Sequence, residues 1–322
     1  MHILVTGGAG YIGSVCVEDF LDRGHEVVVV DNLSAGHEEA VDERADFIAG
    51  DISDASALEK VLRSHKVDAV VHFAAKALVP ESMEHPLDYF FNNTVGVLHL
   101  LKAMENVGVR TIVFSSTCAV YGIPSEVPIA EETPIAPINP YGESKAMAER
   151  ILDWHATLKG FKVIRLRYFN AAGATAAHGE AHDVETHLIP NLFKVALGQR
   201  EKVTIHGGDY PTPDGSCIRD YIHVRDLAHA HALALDHPES GTFNLGTGEG
   251  YSVFQVLEGA REISGHPIPV EIGPRRSGDP PRLVAAAEKA RRVLRWTPRH
   301  SSLKNILESA WAWHKTHPQG YT

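Results

Sequence analysis

The sequence predicts an α/β fold, with a doubly wound parallel sheet over residues 1–172 and a smaller α/β domain over residues 173–322. Three observations support this prediction. Short apolar runs alternate with longer segments of helical spacing in the first half of the chain. The apolar runs are nearly continuous in valine and isoleucine, as is typical of strands that are buried on both faces. After about residue 172 the alternation ends.

The predicted strands of the first half follow one another at regular intervals. In chain order they are ILVTG, EVVVVD, DFIAGD, DAVVHFAA, RTIVFSS and KVIRLRYF. Because parallel strands need right-handed crossover helices, the segments between them are expected to cover both faces of one sheet. The segments with helical spacing are 11–23, 54–65, 86–107 and 141–159.

The second half begins with residues 173–187, which are small and polar and predict a long loop of the kind that often forms a lid. Residues 207–216 are rich in turn-forming residues. A helix and a strand within 218–248 (VRDLAHAHALALDH and GTFNLGTG) are candidates to return to the first sheet. The remaining predicted elements are a helix at 253–264, a strand at 268–272 and a helix at 302–315.

Composition narrows the function classes. The 322 residues have a formal net charge of −11, which argues against nucleic acid as a main partner because phosphate binding requires a basic surface. The three cysteines are scattered, so a reducing, cytoplasmic location is expected. The chain opens directly into the apolar run HILVT, and neither a signal peptide nor a membrane span is expected.

A glycine-rich loop follows the first predicted strand. VTGGAGYIG contains Gly7, Gly10 and Gly13 and opens a predicted helix, as in a Rossmann-type sheet. Such glycines allow the backbone to approach a pyrophosphate, which the helix N-terminus then attracts. Asp31 ends the second strand, where a carboxylate would bind a ribose 2′-hydroxyl and repel a 2′-phosphate. This pattern predicts NAD rather than NADP.

Two further segments follow predicted strands at the same edge of the sheet. Asp51 comes after the third strand and is a candidate to bind adenine. FAAK (73–76) follows the fourth strand, and its Phe73–Ala75 backbone is a candidate to line the cofactor. Both segments are equally consistent with ordinary loops.

The stretch NPYGESK places Tyr141 and Lys145 four residues apart, on one face of a predicted helix that Asn139 caps and Pro140 begins. Thr117 follows the fifth strand, at the edge that also holds the glycine loop. The three side chains are therefore expected to converge beside NAD. A nearby ammonium is expected to lower the phenol pKa by about 1–3 units, so that Tyr141 can accept a hydroxyl proton while hydride leaves the same carbon.

Several motifs together resemble a known family. They are TGGAGYIG, Asp31, SSTCAVYG, YGESK, LRYFNAAGA, DYPTPDGSCIRDYIHV, NLGTG and HPQGY. The chain resembles the extended short-chain dehydrogenase/reductases and, within them, the UDP-glucose 4-epimerase family, over essentially its whole length. This resemblance implies a UDP-hexose substrate that is oxidised at C4, rotates as the 4-keto sugar and is reduced on the other face, so that UDP-glucose and UDP-galactose interconvert.

The resemblance also implies the site residues and a homodimer through helices 86–107 and 141–159. The implied catalytic residues are Thr117, Tyr141 and Lys145. The implied cofactor-binding residues are Gly7, Gly10, Tyr11, Ile12, Gly13, Asp31, Asn32, Asp51, Ile52, Phe73, Ala74, Ala75, Asn92, Ser115, Tyr141, Lys145 and Tyr168. The implied substrate-binding residues are Thr117, Tyr141, Asn170, His187, Leu188, Arg219, Arg276, Asp279 and Leu283.

Some features remain open. Lys76 stands one residue earlier than the lysine that the family often has in this loop, so it has no assigned cofactor role. HGEAH (178–182) is not an H-E-x-x-H motif, and no metal is expected there. The alternatives are an epimerase of a UDP-N-acetylhexosamine or UDP-uronate, and a non-catalytic dinucleotide sensor. A nucleotide-sugar dehydratase or decarboxylase is a further alternative, and a 4,6-dehydratase is disfavoured because Cys118 and Ala119 follow Thr117 in place of an acid–base pair.

Overall fold

The computed structural model describes residues 1–276 and 279–321. The strands are β1 (His2–Thr6), β2 (Glu26–Asp31), β3 (Asp46–Ala49), β4 (Ala69–His72), β5 (Thr111–Thr117), β6 (Lys162–Tyr168), β7 (Asn170–Ala172), β8 (Val203–His206), β9 (Ile218–Arg219), β10 (Tyr221–His223), β11 (Gly241–Leu245), β12 (Tyr251–Ser252), β13 (Val270–Gly273) and β14 (Arg282–Leu283). The helices are α1 (Tyr11–Asp22), α2 (Ala55–Ser64), α3 (Val79–Glu84), α4 (Pro86–Tyr89), α5 (Gly96–Val107), α6 (Pro140–Lys159), α7 (Leu188–Ala196), α8 (Val224–Asp236), α9 (Val253–Ser264) and α10 (Leu303–Thr316).

The central sheet has seven strands in the order β11-β6-β5-β4-β1-β2-β3. Every neighbouring pair is parallel, so the prediction of a parallel, doubly wound sheet is confirmed. All seven carboxyl ends therefore lie along one edge. The order reverses direction on either side of β1, and a crevice for a ligand forms at such a switch point.

Helices cover both faces of the sheet. α1 and α8 pack on one face, in a core that contains Val15, Phe20 and Leu227. α2, α5 and α6 pack on the other face, around Leu58, Leu100 and Leu152. The two layers bury the valine-rich strands on both sides, as their continuous apolar runs predict.

The predicted helix ends agree closely with the structure. The Asn139 side chain accepts a hydrogen bond from the Gly142 amide at 2.8 Å, and Pro140 occupies the first position of α6. Both predictions for this helix start are confirmed. The predicted helix 86–107 consists of α4 and α5 joined by a π-helical segment, Phe90–Val95.

The second half builds a separate apolar core around α7, α9 and α10, with Leu192, Leu257 and Leu307 at its centre. Small sheets join this region: β8 pairs with β13, and β9 lies between β12 and β14. The predicted strand at 268–272 is Val270–Gly273. β11 leaves this half and pairs with β6 at the edge of the central sheet. The domain boundary near residue 172 stays a prediction.

Within the described ranges, none of the helices has the combination of length and apolar character that crossing a bilayer requires.

Candidate active site

The glycine loop connects β1 to α1 in a tight turn. Gly7 has a φ of +76°, and a Cβ added there would lie 2.4 Å from the Ala74 nitrogen. A Cβ at Gly13 would lie 2.2 Å from the Gly7 oxygen, so both positions require glycine. Gly10 precedes α1 without a side-chain cap, and the first turn contains no acidic residue. The amides in the first turn of α1 are therefore available to bind an anion.

Asp31 lies at the end of β2, directly beside the glycine loop. One of its carboxylate oxygens accepts a hydrogen bond from the Ala9 amide at 3.0 Å, and the other accepts one from the Leu33 amide at 2.9 Å. The carboxylate thus fixes the loop in addition to the ribose contact predicted for it. Asn32 donates to Asp51 at 2.7 Å, which joins the ends of β2 and β3 at the predicted adenosine end.

The Phe73–Ala75 segment lies beside the same loop. The amides of Phe73 and Ala74 both donate to the Thr6 carbonyl, at 2.8 and 3.0 Å. This brings the segment after β4 against the end of β1, where its backbone was predicted to line the cofactor.

A buried amide in the π-helical segment was not anticipated. Asn93 accepts a hydrogen bond from the Lys76 amide at 2.9 Å and donates to the Ser144 hydroxyl at 3.0 Å. It therefore ties the loop after β4 to α6. Its neighbour Asn92, a predicted cofactor contact, donates to the Asn93 oxygen at 2.9 Å. The Lys76 ammonium pairs instead with Glu81, 3.1 Å away.

Tyr141 and Lys145 extend from α6 toward the end of β5, as predicted. The Lys145 ammonium is buried and donates to the Ser115 carbonyl at 2.9 Å. Thr117 is buried at the end of β5, and its hydroxyl accepts from the Ala119 amide at 3.1 Å. The structure therefore brings the phenol, the ammonium and the hydroxyl together at the carboxyl edge of the sheet.

The electrostatics of this group correct one expectation. Burial raises the pKa of Tyr141 to about 12, and its hydrogen bond with Thr117 offsets only part of that rise. Burial also lowers the pKa of Lys145 to about 7, against the attraction of Glu149. The prediction that Lys145 lowers the phenol pKa is wrong for the protein alone. The reason is that desolvation disfavours both charged forms, and a lysine with a pKa of about 7 has only part of its positive charge at neutral pH.

A buried ion pair lies beneath the catalytic helix. Arg167 on β6 donates from Nε to Glu149 on α6 at 2.8 Å, and both side chains are almost fully buried. Ser116 donates to the same carboxylate at 2.5 Å. This network joins α6 to β5 and β6 and so positions Lys145, one turn away. No local sequence signal marks it, because the partners are 18 residues apart.

Two tyrosines and two isoleucines of the predicted cofactor set occupy defined positions. The Tyr168 hydroxyl makes a short hydrogen bond with the Ser115 hydroxyl at the paired ends of β5 and β6. The Tyr11 hydroxyl donates to the Gly173 carbonyl at 2.5 Å, which connects α1 to the loop after β7. Ile52 is buried against Gly96. Ile12, in the first turn of α1, is partly buried against the core on that face of the sheet.

The predicted diphosphate ligands lie around β9. Arg219 is nearly buried, and its guanidinium donates to Asp279 at 2.5 Å. Arg276 is exposed, and its carbonyl accepts from the Asp279 amide at 3.3 Å. Asn170 begins β7, and its amide donates to the Asp220 carbonyl at 2.9 Å. Asp279 therefore connects Arg219 with the backbone at Arg276.

Leu283 lies directly across the β9–β14 pairing from Arg219. It is 9% exposed and belongs to an apolar cluster with Cys118 and Phe169. This cluster connects the predicted sugar-gating leucine with the residue that follows Thr117. Phe169 was not predicted, although it stands within the quoted LRYFNAAGA motif.

His187 and Leu188 stand at the start of α7, where the resemblance placed the uridine end. His187 Nδ1 lies 2.8 Å from Glu180 and 3.0 Å from Glu185. Burial alone would lower the pKa of this imidazole, but the two carboxylates raise it to about 10. Leu188 packs on the core around α7.

Comparisons with known proteins agree with this geometry. The NAD-dependent epimerase/dehydratase family matches residues 3–246. A UDP-glucose 4-epimerase of Halalkalibacterium halodurans is 52% identical over 328 residues, which cover 100% of this chain and 98% of the relative.

Two crystal structures of UDP-glucose 4-epimerases are also similar. One has a TM-score of 0.97 at 49% identity, over 100% of both chains. The other, from Bifidobacterium longum in complex with NAD⁺ and UDP, has a TM-score of 0.95 at 39% identity, again over 100% of both chains.

Proposed function

Because the chain belongs to the NAD-dependent epimerase/dehydratase family, we propose that it interconverts UDP-glucose and UDP-galactose with NAD as its cofactor. The observation that supports this most is the meeting of Thr117, Tyr141 and Lys145 at the edge that also holds the glycine loop. Relatives that are similar over their full length have the same activity by name.

The residues at the glycine loop fit a dinucleotide. The uncapped first turn of α1 has amides for a pyrophosphate, and it has no acidic side chain to repel one. Asp31 stands beside the loop with a carboxylate that suits a ribose diol. We therefore assign the cofactor pyrophosphate to Gly10 and Tyr11, and the adenosine ribose to Asp31 and Asn32. When bound, NAD supplies the acceptor and later the donor of the hydride at C4.

The side chains of this protein then have distinct tasks. Tyr141 accepts the proton of the sugar 4-hydroxyl and returns it after the sugar has turned. Thr117 holds the 4-oxygen next to the phenol. Lys145, fixed on the Ser115 carbonyl, places positive charge near the forming phenolate.

Substrate rotation requires a fixed point. Arg219 and Arg276 would hold the diphosphate by charge-assisted hydrogen bonds while the 4-keto sugar swings to present its other face. In the protein alone, Arg219 is paired with Asp279. The incoming diphosphate would therefore compete with this carboxylate for the guanidinium.

One assay tests the proposed function. The purified chain is incubated with UDP-galactose without added cofactor, and the products are separated by chromatography. UDP-glucose should form until equilibrium with no net NADH, since NAD is regenerated in each turnover. If neither UDP-glucose nor an N-acetylated or uronate pair is converted, the epimerase proposal fails.

We also propose a homodimer through α4, α5 and α6. Large apolar side chains are exposed along these helices and the adjacent α3, which is unusual for a surface that faces only water. Trp154 is 66% exposed and Phe91 is 65% exposed. The remaining members are Met83, Leu87, Leu98, Met147 and Leu158. A face of this kind suits a symmetric pairing of two copies.

The dimer has a direct test. Changing both Trp154 and Leu158 to Glu should halve the mass measured by light scattering. Ile272→Glu, on the exposed face of β13, is the matched control and should leave the mass unchanged. Unchanged mass in the double variant would place the interface elsewhere.

The three cysteines are free and buried, which supports the further proposal of a cytoplasmic location.

A further inference from the structure

The loop before α7 brings two imidazoles and two carboxylates to one point. The donor atoms of Glu180, His182, Glu185 and His187 all lie within 4.8 Å of one another. His182 Nδ1 is 3.5 Å from Glu180 and 3.3 Å from Glu185. His187 Nδ1 is 2.8 and 3.0 Å from the same two carboxylates. Each imidazole therefore faces both carboxylates with the same ring nitrogen.

The two carboxylates are buried, and their ion-pair partners are imidazoles. The Glu185 side chain is 2% exposed and the Glu180 side chain 9% exposed. Across the part of the chain that the structure describes, neither forms an ion pair with a lysine or arginine. Burying two like charges this close together is costly unless protonated imidazoles or a bound metal ion balance them.

We propose that Glu180, His182, Glu185 and His187 form a structural Zn²⁺ site, although the HGEAH motif alone predicts none. Zinc binds four nitrogen and oxygen ligands at about 2.0–2.1 Å in a tetrahedron, whose edges are then about 3.3 Å. The four imidazole–carboxylate distances, measured to the nearer Glu185 oxygen, are 2.8–3.5 Å and bracket that value, and all four donors lie within 4.8 Å of one another. Mg²⁺ and Ca²⁺ are disfavoured because they prefer shells of six or more oxygens.

The surroundings hold the loop in this shape. His37 Nε2 lies 2.7 Å from the Ala181 carbonyl, between two of the ligands. The Gly179 amide donates to the Tyr321 hydroxyl at 3.1 Å, and Asn191 donates to the Glu185 carbonyl at 3.2 Å. Three parts of the chain therefore hold this loop: the loop after β2 through His37, the C-terminal segment through Tyr321, and α7 through Asn191. The ion would bind Glu180, His182 and Glu185 of the loop to His187, which caps the start of α7.

The test uses the full-length protein, freed of metal by a chelator and then dialysed. Calorimetric titration with Zn²⁺ alone should give one ion per chain. Co²⁺ in place of Zn²⁺ should give the intense visible bands of a tetrahedral site. Glu185→Gln, which keeps the size of the ligand, should weaken Zn²⁺ binding by at least about tenfold. Asp183→Asn removes an exposed charge from the same loop and should bind as the wild type does.

Three results would overturn the proposal. They are a wild type that binds no stoichiometric Zn²⁺, a Co²⁺ spectrum of six-coordinate type, and a Glu185→Gln variant with unchanged affinity. The first would leave the cluster as a set of ion pairs between protonated imidazoles and carboxylates, and the other two would exclude a four-coordinate site with Glu185 as a ligand. The Co²⁺ spectrum is measured on the wild type, so it decides the question even if the variant does not fold. None of these readouts depends on epimerase activity.

Discussion

The ammonium nitrogen of Lys145 lies 2.9 Å from the main-chain carbonyl of Ser115, so the end of β5 fixes the lysine from α6. The same strand continues to Thr117, which lies close enough to the Tyr141 phenol to lower its pKa against the effect of burial. One strand end therefore positions both members of the YxxxK pair. The relative placement of phenol and ammonium depends on the packing of α6 against β5, which Glu149 and Arg167 support from below.

Replacing the phenol tests the proposed base. Tyr141→Phe keeps the ring, whose centroid lies 6.3 Å from that of Tyr89. We expect kcat to fall by at least about 100-fold, the scale of general acid–base catalysis, while NAD remains bound. The neighbouring Tyr89→Phe removes a hydroxyl with no assigned catalytic role and should retain most activity. Comparable turnover in Tyr141→Phe and wild type would exclude Tyr141 as the base.

The depressed pKa of Lys145 predicts a pH-dependent stability in the protein without nucleotide. The folded chain releases this proton near pH 7, whereas an unfolded lysine holds it to about pH 10.4. Between these values the unfolded chain binds more protons, so the free energy of unfolding attributable to Lys145 rises with pH. Below about pH 7 both states are protonated and this dependence ends.

Lys145→Met isolates the effect, because methionine cannot titrate. Urea unfolding of both proteins at several pH values between 6 and 10 measures it. The wild-type free energy of unfolding should increase relative to that of the variant as the pH rises. A difference that stays constant over this range would show that Lys145 keeps its ordinary pKa.

The two arginines assigned to the diphosphate can be tested by UDP binding, with the neighbouring Arg275 as a control. Arg219→Ala and Arg276→Ala should each weaken UDP binding by about tenfold or more, since a charge-assisted hydrogen bond contributes about 1.5–3 kcal/mol. Arg275→Ala is the matched control, because its guanidinium pairs with Asp209 at 2.7 Å. Calorimetry with UDP measures all three. Equal affinities throughout would remove the diphosphate assignment.

Asp31 is predicted to select NAD over NADP. Asp31→Ala would also leave the Ala9 amide without its acceptor, so Asp31→Asn is the cleaner change, since it keeps one side-chain oxygen. We expect either variant to bind NADP at least about tenfold better relative to NAD, because a carboxylate opposite a 2′-phosphate costs several kcal/mol. Fluorescence titration with both cofactors gives the ratio. Release of NADP from denatured wild-type protein would contradict the assignment.

Leu283 is predicted to gate the substituent at the sugar C2 position. We expect UDP-galactose to be preferred over its N-acetylated analogue, with the analogue converted more slowly. Leu283→Tyr should lower kcat/KM for the N-acetylated substrate by about tenfold or more and spare the plain hexose, since pocket size discriminates by about 1–3 kcal/mol. Leu283→Met, which preserves volume, is the control. An unchanged ratio in the tyrosine variant would mean that Leu283 does not gate the sugar.

Local signals in the sequence predicted much of the fold. The valine-rich strands of the central sheet, the glycine turn and the Asn139 cap depend on neighbouring residues, and the structure has them where they were expected. The pairing of β8 with β13 was not predicted, because two four-residue strands far apart in the chain leave little local pattern. The helix α7 was missed as well.

The sequence predicted less about those properties of the site that depend on burial and on contacts between distant residues. The spacing of Tyr141 and Lys145 indicated that they share a face, but the pKa of each depends on how deeply α6 packs. Likewise, the Asn93 bridge to Ser144 spans 51 residues and has no signature in the chain. Glu180 and Glu185 meet His187 only because the loop before α7 folds back on itself.

The position of β11 has a consequence for biosynthesis. Its partner β6 ends at Tyr168, but β11 begins only at Gly241, so all the residues between them are synthesised before β11. While the ribosome adds those residues, the nascent sheet has an unsatisfied row of backbone donors and acceptors along β6. Such an open edge pairs readily with other chains. A chain that terminates before residue 241 is therefore exposed to misassembly and proteolysis, even though it contains Thr117, Tyr141 and Lys145.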